Sequence, residues 1–409
     1  MTATTHGMDK TRVKPDWPAL TLAEARALLV IFPGCAQPTE ILSTSPRPFS
    51  AASVVATRWG RVFIKRHHHS VRNREGLLEE HHFMHHLRAH GAPVPHVFTS
   101  ASGESAIEIG NWTYEVHEVP AGVDAYEDAL SWTPFRSAAA AHSAGRLLAQ
   151  LHLAAEGFLA PRRSTQPLVS SFTIFAGANP RAAMDNYLSA RPVLAGNAFV
   201  RKHCEEALEL LAPFHAELLP LLPALAPLWT HNDLHASNLL WSDTSHDAHA
   251  VAVIDFGLAD CTSAVHDLAL AIERNIVEWL ELKQESGIRD QGSETELKVA
   301  TNLPIHFDHL NALLDGYDSL RPLSDEEAAA LAPMTALCHA EFALTEADYF
   351  LGVLQSEKNA RVCVDDYLVG HARWFHSSAG EKLLDAIHRW AENRNPAIHP
   401  AAHKKVGPQ

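Results

Sequence analysis

The chain has 409 residues, 46% of them hydrophobic, and a formal net charge of −15. That length suits two or three lobes around a well-buried core, and the acidic balance excludes nucleic acid as the main partner. Five cysteines without a C-x-x-C pair fit reduced thiols in a cytosol rather than a disulfide or zinc framework.

The N-terminal stretch lacks an apolar signal segment, and no 18-residue apolar run offers a membrane span, so a cytoplasmic protein is expected, with residues 1–20 disordered. Residues 21–32 read as a short helix capped by Thr21. Residues 52–66 read as two strands about a turn at Arg58-Trp59-Gly60, with Phe63 and Lys65 on one face and Val62 and Ile64 on the other. Residues 72–90 repeat apolar side chains at helical spacing and stop at Gly91. Their "HHFMHH" pairs His81 with His85 and His82 with His86 at metal-ligand spacing. No cysteine or third ligand lies nearby in sequence, and compositional bias explains the patch. "HVFTS" (96–100), "AIEI" (106–109) and "WTYEVHE" (112–118) read as strands. From about 135 the chain turns helical, over 136–158, 198–218, 265–283, 324–354 and 366–392. A polar surface loop is expected at 285–298 and a disordered tail over 393–409. Residues 1–120 carry twelve Lys/Arg and eleven Asp/Glu, so the acidic excess belongs to the rest of the chain. A solvated surface accounts for most of it, and attraction of a cationic acceptor is the minority reading.

The chemistry concentrates in "LWTHNDLHASNLLW" (228–241) and "AVAVIDFGLAD" (250–260). Apolar runs flank a polar loop in which Asp233 and Asn238 are separated by four residues. That is the spacing of a kinase catalytic loop, where the Asp takes the acceptor proton and the Asn holds a metal. Asp255 ends the following β-run, and "SDTSHDAHA" can turn between the two segments, so the three residues meet at one hairpin mouth. Two carboxylates and an amide oxygen suit magnesium. Lys65 sits mid-strand, where a cation is unexpected unless it reaches a cleft. A glutamate on the next helix can hold it: Glu80, with Glu79 as the alternative.

The order of Lys65, Glu80, "HNDLHASN" and "IDFG" resembles the aminoglycoside/choline-kinase-like phosphotransferase family over about residues 40–390. "GRLLAQLH" (145–152) resembles the helix preceding the catalytic half, and "HDLALAIE" (266–273) the helix after the metal aspartate, with Asp267 buried. The resemblance implies an α+β, two-lobed protein-kinase-like fold. The lobes would be a β-rich nucleotide-binding lobe at 21–120 and a helical lobe at 121–392, with the catalytic hairpin at 228–260. It implies ATP and Mg2+ as cofactors, Asp233 as catalytic base, and Asn238 and Asp255 as metal ligands. Lys65, held by Glu80, would meet the phosphates. The glycine-free loop "SPRPFSAAS" (45–53) would cover them through backbone near Phe49, Ser50 and Ser53, and the adenine edge would meet backbone at Glu118-Val119. Asn232 stands where many members have Gly, and His231 is expected to brace the loop. The acceptor would be a small hydroxyl compound (amino alcohol, hydroxy amino acid or aminoglycoside-like). Helical spacing puts His339, Phe342 and Glu346 on one face, with Glu341 and Asp348 adding acidic charge; a partly buried helix with a polar rim is the main reading, and recognition of a cationic acceptor the minority one. The alternatives are a protein serine/threonine kinase, an inactive nucleotide-binding regulator, from which the presence of both Asp233 and Asp255 argues away, and a His-rich metal-binding protein.

Overall fold

The computed structural model describes residues 5–6, 12–35, 37–164, 167–281 and 303–394. The expected loop at 285–298 and the tail beyond 394 lie outside the described residues.

The N-terminal lobe is a five-stranded antiparallel sheet in the order Pro38–Thr44, Ala51–Thr57, Gly60–His68, Trp112–Glu118, Ile107–Ile109. Alternation along Gly60–His68 gives the sheet two unlike faces. On one face, Val62, Ile64, Tyr114 and Val116 pack against Ala25, Leu28 and Leu29 of the helix Leu22–Leu29, whose first turn is closed by a Thr21/Glu24 capping box. Phe63, Lys65 and His67 point the other way, alongside Glu115 and His117 of the neighbouring strand. The helix Arg74–Ala89 covers this polar face and turns Phe83, Met84 and Leu87 into the core of the C-terminal lobe. There the Phe83 ring meets Phe158, Trp229 and Phe256 at centroid distances of 5.2, 5.5 and 6.0 Å.

Two local expectations need correction. "HVFTS" makes only an isolated bridge, Val97 to His117; Pro93 and Pro95 just before it deprive a strand of donors. Residues 14–20 are packed rather than disordered: Trp17 stacks on His68 at 5.1 Å, Arg66 donates to the Pro18 carbonyl, and Tyr349 donates to Asp16 at 3.2 Å.

The C-terminal lobe is built from the helices Ala138–Ala155, Ala198–Leu218, Ala264–Ile276, Asp325–Leu337, His339–Gly352 and Ser378–Asn393, together with Pro180–Ser189 and Phe307–Asp318, which the sequence reading left unassigned. The span 366–392 is broken where Ser377 caps a new helix. Ala138–Ala155 and Phe307–Asp318 touch backbone to backbone: a Cβ on Gly145 would lie 2.0 Å from the Leu313 carbonyl oxygen, and one on Gly316 2.1 Å from that of His142. Glycine costs a helix roughly 1 kcal/mol relative to alanine, so here it serves close approach. Among the described residues no helix is long and apolar enough to cross a membrane.

Candidate active site

The strand Leu239–Trp241 pairs antiparallel with Ala250–Val253, and Pro227–Thr230 pairs with Asp260–Ser263. This folds the polar loop 231–238 beside Asp255. Asp233, Asn238, Asp255 and Lys65 all line one cavity of about 180 Å³. Asn238 donates its amide N–H groups to the Asp233 backbone oxygen at 2.9 Å and carboxylate at 3.1 Å, leaving its own Oδ1 as an acceptor. His231 donates to the Ile254 carbonyl at 3.0 Å and accepts the Asp233 amide at 3.2 Å, so it ties the loop to the strand ahead of Asp255.

Two loop residues are held in left-handed backbone, Asn232 at φ 59° and Asp255 at φ 61°. Such a conformation costs roughly 1–2 kcal/mol for most side chains and less for Asn or Asp. Asn232 is fixed from several sides: its side-chain oxygen accepts from Thr230 and Thr262, and its amide donates to the Ser170 carbonyl. Asp267, buried, accepts the amides of His231 at 2.9 Å and Asn232 at 2.8 Å, and Nε2–H of His152 at 3.0 Å. His152 in turn accepts from the Tyr317 hydroxyl at 2.7 Å. Burial works to raise the Asp267 pKa, but these donors win and it is lowered. The close helix pair thereby sets the catalytic loop through His152.

Sequence reasoning missed the rest of this brace. Arg274, 1% exposed, makes a short ion pair with Asp233 and lies 4.0 Å over the Phe342 ring. Asn275 accepts the Ala236 amide at 2.9 Å and donates to the Leu234 carbonyl at 2.9 Å. A signal was present: "ERN" places three consecutive polar side chains on a helix with no exposed face. Burial raises the Asp233 pKa and outweighs the opposing pull of Arg274. At Asp255 burial also works upward, but the Lys65 ammonium prevails and holds the carboxyl down to about 2.

The lysine's partner needs correction. Lys65 Nζ lies 2.7 Å from Asp255 Oδ1, not on Glu80 or Glu79. Those two glutamates face Arg163, which inserts under their helix at 3.5 Å from Glu79 and 3.9 Å from Glu80. Glu80 still contributes at longer range: burial works against the ammonium, but the charges of Asp255, Glu115 and Glu80 offset it and raise the lysine's pKa. Glu115, directly opposite Lys65 in the strand register, was not anticipated.

Phe49 and Ser50 line the cavity, with Phe49 at φ 38°. Ser53 does not: it is buried in its strand beside Thr44. The Ser50 amide faces the Pro48 carbonyl. Nor does the cavity wall reach Glu118 or Val119; the Glu118 carboxylate pairs with Arg88 at 3.0 Å. Of the expected acceptor helix, Phe342 and Glu346 line the cavity. His339 bonds the Leu368 carbonyl, Glu341 caps the amides of Thr173 and Ile174, and Asp348 faces Arg191. Arg47 and Trp132 line the same cavity and were unforeseen.

A search of curated proteins gives no match. Among solved structures the fold is shared with a microcompartment-associated aminopropanol kinase, at 15% identity and a TM-score of 0.55, over 90% of this chain and 100% of that one. It is also shared with an amicoumacin kinase in complex with AMP-PNP, Ca2+ and Ami, at 12% identity and a TM-score of 0.51, over 85% of this chain and 92% of that one. A family model, the phosphotransferase enzyme family (APH), matches residues 49–299. With more than half of the chain matched and the two-lobed, protein-kinase-like α+β fold in place, this protein is a phosphotransferase of that family.

Proposed function

We propose that the protein transfers the γ-phosphoryl group of ATP to a hydroxyl of a small molecule. The observation that carries this reading is the convergence of Asp233, Asn238, Asp255 and Lys65 on one cavity that continues past Trp132 and Phe342. Asn238 Oδ1 and the Asp255 carboxylate are hard oxygen donors on one wall, the donor set that suits Mg2+. Bound there with the nucleotide, the ion would neutralise phosphate charge. Asp233 accepts the acceptor's hydroxyl proton, and the hydrogen bonds from Asn238 aim its carboxylate. Lys65 supplies a positive charge from the N-terminal lobe, and Phe49 closes the cavity against Tyr349, ring centroids 5.1 Å apart.

The same cavity bounds the acceptor. Its far end is walled by Trp132, Phe342 and Tyr367, a setting that suits a compact molecule. Side chains of both signs, Glu346 for an amino group and Arg47 for a carboxylate, favour an amino alcohol or hydroxy amino acid over a polycationic aminoglycoside. A coupled ADP-release screen over amino alcohols, hydroxy amino acids, aminoglycosides and generic protein substrates tests this. Turnover confined to a protein acceptor would overturn the small-molecule reading.

A further inference from the structure

The polar face of the N-terminal sheet holds a second constellation, which adjoins the catalytic cavity through His67. Glu115, 0% exposed, is surrounded by three imidazoles from three elements. His67 of the lysine strand places Nε2 at 2.9 Å from one carboxylate oxygen. His81 of the covering helix and His117 of the glutamate's own strand each place Nε2 at 2.8 Å from the other. All four side chains are buried, and the ligating atoms of His81, Glu115 and His117 lie within 4.8 Å of one another. We propose that His81, Glu115 and His117 form a site for one borderline divalent transition ion, with Zn2+ the best match, that fastens the helix Arg74–Ala89 to the sheet, while His67 steadies the carboxylate through its other oxygen.

Three features carry the assignment. The first is donor chemistry. Imidazole with one carboxylate is the ligand set of zinc and its neighbours, whereas Mg2+ and Ca2+ prefer oxygen alone. The second is geometry. Metal–ligand bonds of roughly 2.0–2.1 Å put neighbouring ligand atoms about 2.9 Å apart at a right angle and about 3.4 Å apart at a tetrahedral one. The 2.8 Å contacts of His81 and His117 with one Glu115 oxygen are thus already near ligand spacing. The third is orientation. Lys65 is directly opposite Glu115 in the register, which invites a cross-strand ion pair. The lysine instead meets Asp255, and both oxygens of Glu115 turn to the imidazoles. His81 has an outer partner as well: its Nδ1 lies 2.8 Å from the Ser105 hydroxyl, which accepts from Nδ1–H when Nε2 binds a metal and donates when it does not.

The competing arrangement is a network in which each neutral imidazole donates Nε2–H to Glu115. It satisfies every one of these contacts too, and it spares Lys65 the neighbourhood of a cationic centre. Glutamine separates the two, because its amide still donates to the carboxylate but binds metal poorly. Untagged full-length protein, stripped with a chelator, is titrated with Co2+ and with Zn2+ and passed through gel filtration before its metal content is read. The expected result is one equivalent per chain, visible Co2+ absorption that Zn2+ removes and Mg2+ does not, and a raised melting temperature. His81→Gln and His117→Gln are expected to lose the equivalent while keeping native circular dichroism. His82→Gln and His85→Gln, on the exposed side of the same helix, keep it. Should the glutamine variants not fold, Ser105→Ala decides: it is expected to weaken Co2+ binding about 10-fold, the usual cost of losing an outer-shell partner. No stoichiometric uptake by the parent protein, or uptake unchanged in His81→Gln, His117→Gln and Ser105→Ala, overturns the site and leaves a metal-free hydrogen-bond network.

Discussion

The catalytic hairpin and the lysine face of the sheet meet at a 2.7 Å contact, Lys65 to Asp255, yet they are assembled in opposite ways. In the hairpin, Asp233, Asn238 and Asp255 lie within one short stretch of chain, and bonds inside the loop tie Asp233 to Asn238 and His231 before the helix Ala264–Ile276 braces it. The lysine face is put together from afar. Its groups come from two neighbouring strands and a helix, and strand register decides who faces whom. Chemistry carried by short-range spacing can be read from a sequence; chemistry carried by register cannot, because a one-residue slip moves every side chain to the other face.

The contrast predicts unequal consequences of mutation. On the hairpin side, Asp233→Asn removes the proton acceptor but leaves Asn238, Asp255 and Lys65 in place. A fall in kcat of about 10²–10⁴-fold is expected, with Mg-ATP affinity retained in calorimetry. Residual kcat above about a tenth of the parent value would remove Asp233 from the role of general base.

On the lysine side the expected loss is smaller and its pattern diagnostic. Lys65→Met should cost about 1.5–3 kcal/mol in kcat/KM, the range for a hydrogen bond to a charged group. Because Glu80 faces Arg163 rather than Lys65, Glu80→Gln should raise KM for ATP less than Lys65→Met, and the two changes should come close to additive. Equal and non-additive losses would restore Glu80 as the direct partner of the lysine and blur the distinction between the two regions.

This difference is also the measure of what the sequence disclosed. The N-cap at Thr21, the turn at Arg58-Trp59-Gly60 and the catalytic hairpin are local patterns, and each was legible. The pairing of Glu80 with Lys65 was inferred from chain order alone. It missed because Arg163, nearly a hundred residues away in sequence, inserts beside the glutamates. Arg274 and Asn275 escaped notice because their helix was read for its apolar side chains. The histidines at 81–86 were judged by spacing along one helix, whereas His81 finds its companions on two strands.

Acid should probe the hairpin's support. Burial pushes the pKa of His266, which donates to Asn232, from 6.5 to about 4, and burial does the same to His339. The unfolded chain then takes up protons near pH 6.5 that the fold refuses until about 4. Stability therefore falls as pH drops through that window and levels off for these two groups below it. Asp267, whose pKa is lowered from 3.8, contributes stability that is lost only at still lower pH. Denaturant midpoints measured from pH 7.5 to 4 check this, and a flat profile between 6.5 and 4 would contradict the neutral, buried state of both histidines.

The smallest effect concerns Asn232, and it tests whether the hairpin's local order rests on backbone or on side chain. At φ 59° the residue lies in the left-handed region, which Gly enters freely, Asn at low cost and Ala with strain. Its side chain also accepts from Thr230 and Thr262 and donates to Ser170. Both Asn232→Gly and Asn232→Ala lose those bonds, so the two share that penalty, and only Ala adds backbone strain. Part of the difference is returned to Ala through the lower entropy of its unfolded chain. Asn232→Ala should therefore be less stable than Asn232→Gly by about 1 kcal/mol in denaturant unfolding. Equal stability of the two variants would place the cost entirely in the lost side-chain bonds. Asn232 would then serve the hairpin through its hydrogen bonds, not through its tolerance of the turn.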